Sequence, residues 1–471
     1  MDAAPLIVWF RKDLRLGDNP ALSAAVSARR PIVPVFILDE QTARPLGAAS
    51  KWWLHKSLES LSARAPLVLK RGAALAQLQA LIEETGATGV YWNRLYEPET
   101  IARDREIKTA LTDQGLEVQT FGGRYLAEPW VLKTKTGTTL KVFTPYWKAL
   151  NAYYEEHPLP DALPVPEAKW ASAQSEALAD WSLLPTKPDW SGGIEAEWTP
   201  GEGGAWTRYN QFKKSAIRDY IEDRNRPDLP GVSRLSPHLH WGEISVSQLW
   251  HATCAHGNSR SHEHFLKELT WRDFAAYLLY HFPTLPHENW RKDFDVFPWA
   301  EDQEVLARWE RGQTGYPIVD AGMRELWATG WMHNRVRMIV ASFLVKHLLH
   351  PWQAGERWFW DTLVDADPAT NPASWQWVAG CGADAAPYFR IFNPIGQAEK
   401  FDPEGDYIRK WVPELARLPR EFIAKPWEAS PLILHAAEVK LGETYPDPII
   451  RHEDGRARAL EAFQSLKKEA A

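Results

Sequence analysis

LIVWFRKDLRLGDNPALSAAVSARRPIVPVFIL, residues 6–38, opens and closes on an unbroken apolar run, Leu6–Phe10 and Ile32–Leu38. Runs without polar alternation suit strands buried on both faces, as in a parallel sheet covered by helices on each side. Moving outward, the pattern repeats: strands are predicted at Leu67–Leu69, Val90–Trp92 and Val118–Phe121, and helices over roughly 49–63, 73–85 and 97–113. This alternation predicts a doubly wound α/β domain over residues 1–135, with any ligand at the carboxyl ends of its strands. Neither G-x-G-x-x-G nor G-x-x-x-x-G-K-[ST] occurs, so the dinucleotide fingerprint and the Walker phosphate loop are both absent.

Residues 136–204 read as a long connector, which from about 151 is rich in Pro, Ala, Ser and Gly (HPLPDALPVPEAK, LLPTKPDWSGG, TPGEGG). Residues 205–471 show helical spacing almost throughout, as in HEHFLKELTWRDFAAYLLYHF (262–282) and MHNRVRMIVASFLVKHLL (332–349), and predict an all-α domain. The fold class expected is therefore α/β plus all-α. With 471 residues, 45% hydrophobic and 24% charged, the chain resembles an ordinary soluble protein of two to four domains rather than a disordered or fibrous one. Its 54 Lys and Arg against 61 Asp and Glu give a net charge of −7, so a nucleic acid would have to be held by a local patch. Two cysteines, Cys254 and Cys381, with no C-x-x-C pair, point away from disulfide frameworks and zinc and toward a reducing, cytoplasmic setting. No stretch reaches the length of a membrane span. The compositional outlier is Trp, 26 in all, of which 13 fall within residues 241–377.

Several groupings could carry chemistry. Residues 365–394, DADPATNPASWQWVAGCGADAAPYFRIFNP, mix helix breakers with aromatic rings, which suits a binding loop walled by rings. Asn334 and Met338 lie four apart, hence on one helical face, while Arg335 and Arg337 lie off it and need partners such as Asp365 and Asp367. Glu268 and Trp271, three apart, place a carboxyl and an indole on one face. Ser233, Arg234 and Ser236, with the later TGYP (314–317), could cradle phosphate.

Taken together, VWFRKDLRLGDNPAL (8–22), SRLSPHL (233–239), KELTWRDF (267–274), TGYPIVDAGMRELWATGWMHNRVRMIVASFLVK (314–346) and WQWVAGCGADAAPYFRIFNPIGQAEKFDPEGDYIRKWVPEL (375–415) resemble the photolyase/cryptochrome family, in order along the chain. Within it the chain looks most like a class I cyclobutane pyrimidine dimer photolyase. The resemblance implies an N-terminal antenna domain, a connector and a helical FAD-binding domain. By match to the family motifs, Tyr220, Ser233, Leu235 and Ser236 would contact flavin phosphates, and Val232 stands where relatives often carry Thr. Arg337, paired with Asp365, and Asp367 would line the isoalloxazine and ribityl region, and Asn371 would face flavin N5. An amide there brings no titratable proton, which favours a reduced, anionic working form of FAD over the chemistry of a plant-type photoreceptor.

The resemblance further implies that Glu268, Trp271, Asn334, Met338 and Trp377 meet the dimer. The two indoles would clasp its bases, and Glu268 would bond a pyrimidine carbonyl edge where charge develops. Enzymes of the (6-4) type carry two His near the equivalents of Asn334 and Met338, so that activity is not expected. Light absorbed by the flavin would send an electron to a dimer flipped out of UV-damaged DNA, since the lesion cannot be reached inside the base stack. Arg224, Arg335 and Arg390 would meet DNA phosphates, and Trp375, Trp352 and Trp299 would relay electrons to oxidised flavin, with Trp358 and Trp360 as a side branch or packing. Glu97 matches an acidic residue that some relatives use for a methenyltetrahydrofolate antenna. Folate, a deazaflavin or no second chromophore all remain open. A monomer is implied, and the alternative function is that of a cryptochrome-type blue-light photoreceptor.

Overall fold

The computed structural model describes residues 3–40, 44–385 and 389–469. Five strands, β1 (Leu6–Phe10), β2 (Ile32–Leu38), β3 (Val68–Arg71), β4 (Gly89–Asn93) and β5 (Glu117–Phe121), form one sheet in the order β3-β2-β1-β4-β5. Every pairing is parallel, with Leu6 opposite both Ile32 and Gly89. The connecting helices are α1 (Pro20–Ser27), α2 (Ala48–Ser62), α3 (Ala74–Thr85) and α4 (Pro98–Asp113). The sheet is doubly wound, as the apolar runs imply. β1, β2 and β4 are buried along their whole length, and Trp9 and Trp92 meet edge to face at 5.8 Å within a core of Val33, Val35, Leu78, Leu81 and Leu111. Strand order reverses between β1 and β4, so the loops leaving them, Arg11–Asp13 and from Arg94 onward, flank the usual ligand crevice of such a sheet.

By contacts the chain divides into two compact units that are discontinuous in sequence, unlike the three consecutive segments read from composition. One comprises the chain up to Arg218 with Ser233–Pro283 and Val364–Ala369; the other comprises Asp219–Val232, Thr284–Leu363 and the chain from Thr370. The segment read as connector holds a helix, α5 (Phe143–Glu156). One local expectation needs correction: the stretch 365–394 is not one loop, because Thr370–Ala379 is helical. Its breakers sit where a helix tolerates them: Pro372 falls in the first turn, where no backbone N–H is needed, and Gly380 follows the last turn at φ 93. No helix among the described residues is long and apolar enough to cross a membrane.

Candidate functional site

In the first unit the long helix Arg260–His281 starts at Ser259, whose hydroxyl accepts from the His262 N–H. Its spacing places Glu268 and Trp271 on one face. Trp271 lies flat on Phe143, the first residue of α5, with ring centroids 3.8 Å apart and planes 6° from parallel, and it meets Phe274 edge-on at 5.8 Å. Its indole is still 36% exposed. Phe143 thus fixes the plane of a ring that keeps surface for another partner. Glu268 has 28% of its side chain exposed and one oxygen 3.7 Å from His264 Nε2. Two residues beyond Trp271, buried Asp273 accepts the Leu126 N–H at 2.5 Å; burial pushes its carboxyl up to about 7.

The same unit holds Ser233, Leu235, Ser236, Asp365, Asp367 and Glu97. Leu235 is buried and precedes the short helix Ser236–Trp241, whose first residue, Ser236, is exposed. Between them and Ser233, Arg234 takes φ 53 and is steadied by Glu197 at 3.0 Å and the Trp198 ring. The helix ends at Gly242, with φ 68, where a Cβ would lie 2.1 Å from the Lys12 carbonyl. Only glycine lets the loop after β1 pass the helix end this closely.

Asp365 and Asp367 are both buried. Asp367 Oδ1 accepts the Ala369 N–H at 3.0 Å, and Oδ2 lies 3.1 Å from His240 Nδ1 and 3.8 Å from Arg124 Nη2. Burial alone would raise this carboxyl, but His240, Lys12 and Arg124 together hold it well below the usual range. Burial and Lys12 push His240 down to about 4, so it is neutral at pH 7 and donates to Asp367. Glu97, the N-cap residue of α4, gives one oxygen to Lys12 Nζ at 3.1 Å and the other to the Tyr96 N–H and the Thr100 hydroxyl. Burial would raise its carboxyl, but Lys12 and Arg124 outweigh this and bring it to about 2.

The second unit holds Tyr220, Asn334, Arg335, Arg337, Met338, Asn371 and Trp377, together with Arg224, Arg390, Trp299, Trp352 and Trp375. The helix Asn334–Ser342 is capped by His333, whose ring accepts the Arg335 N–H. Asn334 is exposed at its start and Met338 half-buried one turn on. Arg337 donates to the Met332 carbonyl at 2.8 Å. Arg335 donates to Asn225 at 2.6 Å and lies over the Phe401 ring, and Arg224 lies over Tyr220. Burial lowers the pKa of Arg335, and the charges of Arg224 and Arg390 lower it further. The charges of two other arginines therefore reach Arg335.

Asn371, in the first turn of Thr370–Ala379, is buried, and its Nδ2 donates both to the Glu356 carbonyl at 3.1 Å and to Glu356 Oε1 at 2.9 Å. Two acceptors on one side force the NH₂ to face them, which fixes the amide's orientation and leaves its oxygen to accept elsewhere. Farther along this helix, Trp375 is buried, and its ring presses on Gly355, where a Cβ would come within 2.1 Å, and on Phe359 at 5.0 Å. Both belong to the helix Trp352–Thr362, which begins with fully buried Trp352, its indole N–H donating to Asn289. Trp299 is half-buried against Phe297 at 4.3 Å. Half-buried Trp377 donates its indole N–H to the Asp384 carbonyl at 3.0 Å. Trp358 stacks on exposed Trp327 at 6.0 Å.

Four of these supports are not among the candidates the sequence singles out, and only one of them carries any signal there. Phe143 lies in the segment read as connector, and Asn225 in a short polar turn. His240 looks like any residue of a short helix. Glu356 was the most legible of the four, as a carboxylate in the aromatic run WQAGERWFW (352–360). The fixed Asn371 oxygen fits a flavin: an N–H at N5 of the reduced ring would find an acceptor there, and Asn supplies no proton to it.

One unit thus holds a doubly wound sheet, and the other a fixed amide, buried indoles and three arginines. Residues 6–167 match the family model described as DNA photolyase, and residues 265–465 match the FAD binding domain of DNA photolyase. The chain belongs to the photolyase/cryptochrome family and contains an FAD-binding domain. It is 52% identical over 476 residues to a deoxyribodipyrimidine photo-lyase of Agrobacterium fabrum, covering 99% of each chain. It is also similar to the solved structure of a bacterial class III photolyase from Agrobacterium tumefaciens, with TM-score 0.96, 52% identity and coverage of 99% and 98%. Cryptochrome-1 of Arabidopsis thaliana is 38% identical over 98% of this chain and 70% of its own. The class I reading finds no support in these relatives, since the structural neighbour at 52% identity is a class III protein.

Proposed function

We propose that this protein repairs UV-damaged DNA by splitting cyclobutane pyrimidine dimers in light, using reduced, anionic FAD, and that it groups with class III photolyases. The observation that carries the reading is Trp271, an indole laid flat on Phe143 at 3.8 Å yet 36% exposed. A ring held in a fixed plane with surface to spare is a platform for a base taken out of the stack. The 52% identity to a deoxyribodipyrimidine photo-lyase supports the same reading. Neither Asn334 nor Met338 is His, which disfavours the (6-4) lesion.

Bound FAD supplies light absorption and one-electron donation. The chain's own residues do the rest. Asn371, held by Glu356, accepts from N5 without offering it a proton. Ser233, Leu235, Ser236 and Tyr220 serve the flavin phosphates, with Arg337, Asp365 and Asp367 serving the polar wall. Trp377, its N–H committed to Asp384, offers a second indole surface to the lesion, and Met338 an apolar one. Glu268 bonds the carbonyl edge of the dimer as charge develops there. Arg224, Arg335 and Arg390 neutralise flanking phosphates. Trp375, Trp352 and Trp299 pass electrons inward from the surface. For an antenna pigment, Glu97 offers an ionised carboxylate fixed by Lys12.

Glu268→Ala should lower the yield of dimers split per absorbed photon several-fold, by about 1 kcal/mol of lost transition-state hydrogen bonding. Flavin content should stay at one per chain. Flavin absorbance on purification and dimer counts after a measured light dose check both; loss of flavin with unchanged yield would give Glu268 a structural role. Similarity to cryptochrome-1 favours a photoreceptor as the second reading, in which Glu268→Ala would change nothing measurable on DNA.

A further inference from the structure

The helix Asn334–Ser342 does not end cleanly but widens into a π-helical turn, Phe343–His347. Such turns are rare and are frequent at functional sites. Within this one, Lys346 is only 2% exposed, and its Nζ donates to the Arg390 carbonyl at 2.5 Å and lies 4.2 Å over the Phe389 ring. Among the described residues no carboxylate pairs with it. A buried, unpaired ammonium is costly to keep. It also borders a cavity lined by Ser342, Trp377, Arg390 and Phe392. Two of these, Trp377 and Arg390, have been assigned above to lesion and phosphate.

We propose that Lys346 is a positioning residue for damaged-DNA binding: it anchors the Phe389–Arg390 backbone that carries an exposed phosphate-binding guanidinium, and it gains a proton when the DNA arrives. The inference rests on the reading of Arg390 as a phosphate contact. The groups facing Lys346 are few. Cys381, beyond the helix Thr370–Ala379, faces it, with its thiol pushed up to about 12 by burial. Arg390 faces it from the chain it holds, and on its own turn stands His347, paired with His452 at 2.8 Å and brought to about 3 by burial. Neither Cys381 nor His347 changes charge near pH 7, so Lys346 titrates alone there. Burial lowers it to about 7, helped by the charge of Arg390.

The sign follows. Burial favours the neutral form of Lys346 in the free protein, and phosphates placed at Arg390 favour its charged form and raise its pKa. Binding therefore takes up protons, and affinity falls as pH rises from 6 to 9, about tenfold for each unit the pKa moves. The test uses the FAD-loaded full chain and a UV-irradiated oligonucleotide, with Kd measured across that range at fixed salt. Calorimetry at pH 7.5 in two buffers of different ionisation heat then counts protons. Wild-type protein should bind more weakly at pH 9 and take up a fraction of a proton. Lys346→Met should bind more weakly than wild type at pH 6, with a flat profile, and Lys346→Arg should lose the uptake. A wild-type pH slope retained in Lys346→Met, or in Lys346→Arg if the Met variant does not fold, overturns the proposal, as does absence of proton uptake by wild type. Wild-type protein that does not bind irradiated DNA at any pH overturns the DNA reading as well, which separates the two failures.

Discussion

Trp375→Phe should abolish light-driven reduction of oxidised FAD, while repair by chemically reduced protein stays at the wild-type rate. Trp375 is buried against Gly355 and Phe359 of the helix that begins with Trp352, and its indole N–H has no hydrogen-bond partner among the described residues. A buried N–H without a partner costs about 1–3 kcal/mol. If the position needed only an aromatic filler, Phe would fill most of the space without that cost, so the indole is retained for what it can do electronically. Exposure runs from buried Trp375 and Trp352 to half-buried Trp299, as a path from interior to surface requires. Trp309, 6.2 Å from Trp375, is the competing neighbour, and Trp352→Phe tells the two routes apart. Blue-light bleaching of the oxidised flavin band with an external reductant measures the first property, and dimer loss after dithionite reduction measures the second. Equal loss of both in Trp375→Phe would mean that the residue serves the flavin site rather than the relay.

Arg335→Gln should weaken binding to irradiated DNA about tenfold near 0.1 M salt and reduce the slope of log K against log salt by about 1. It should do so without lowering the thermal midpoint of the free protein. The two effects part company because Arg335 is a liability in the absence of DNA: Arg224 and Arg390 crowd it with like charge, and it is half-buried. Glutamine keeps a donor for Asn225 and removes the repulsion. Filter binding over a salt series and a melting curve check the pair of expectations. A fall in the midpoint with an unchanged salt slope would make Arg335 a structural residue that braces Asn225 and Phe401.

The fold was legible because its decisive residues are redundant. Each central strand is a run of β-branched and aromatic residues buried end to end, and a shift of a residue or two at β3 or β4 leaves the sheet unchanged. The helix Thr370–Ala379 was not legible because Asn371, Pro372 and Gly380 are breakers in a helix interior and harmless at its ends, and composition does not say which applies. The chemistry-bearing residues were legible as types, since Asn, Trp and Arg in those motifs are unusual company. Their supports were not. Phe143 reaches Trp271 across 128 positions of sequence, and Glu356 reaches Asn371 across 15, and neither spacing follows a helical or strand period. The class I subtype is not shown by these relatives, since the structural neighbour at 52% identity is a class III protein.

The most direct measurement is the count of cyclobutane dimers in UV-irradiated DNA incubated with the FAD-loaded, reduced protein in blue light and, in parallel, in darkness. Dimers should disappear in light and persist in darkness, with each protein molecule acting on many dimers and (6-4) lesions left in place. Tight binding of FAD and of damaged DNA with equal dimer counts in light and darkness would contradict repair and leave the photoreceptor reading in its place.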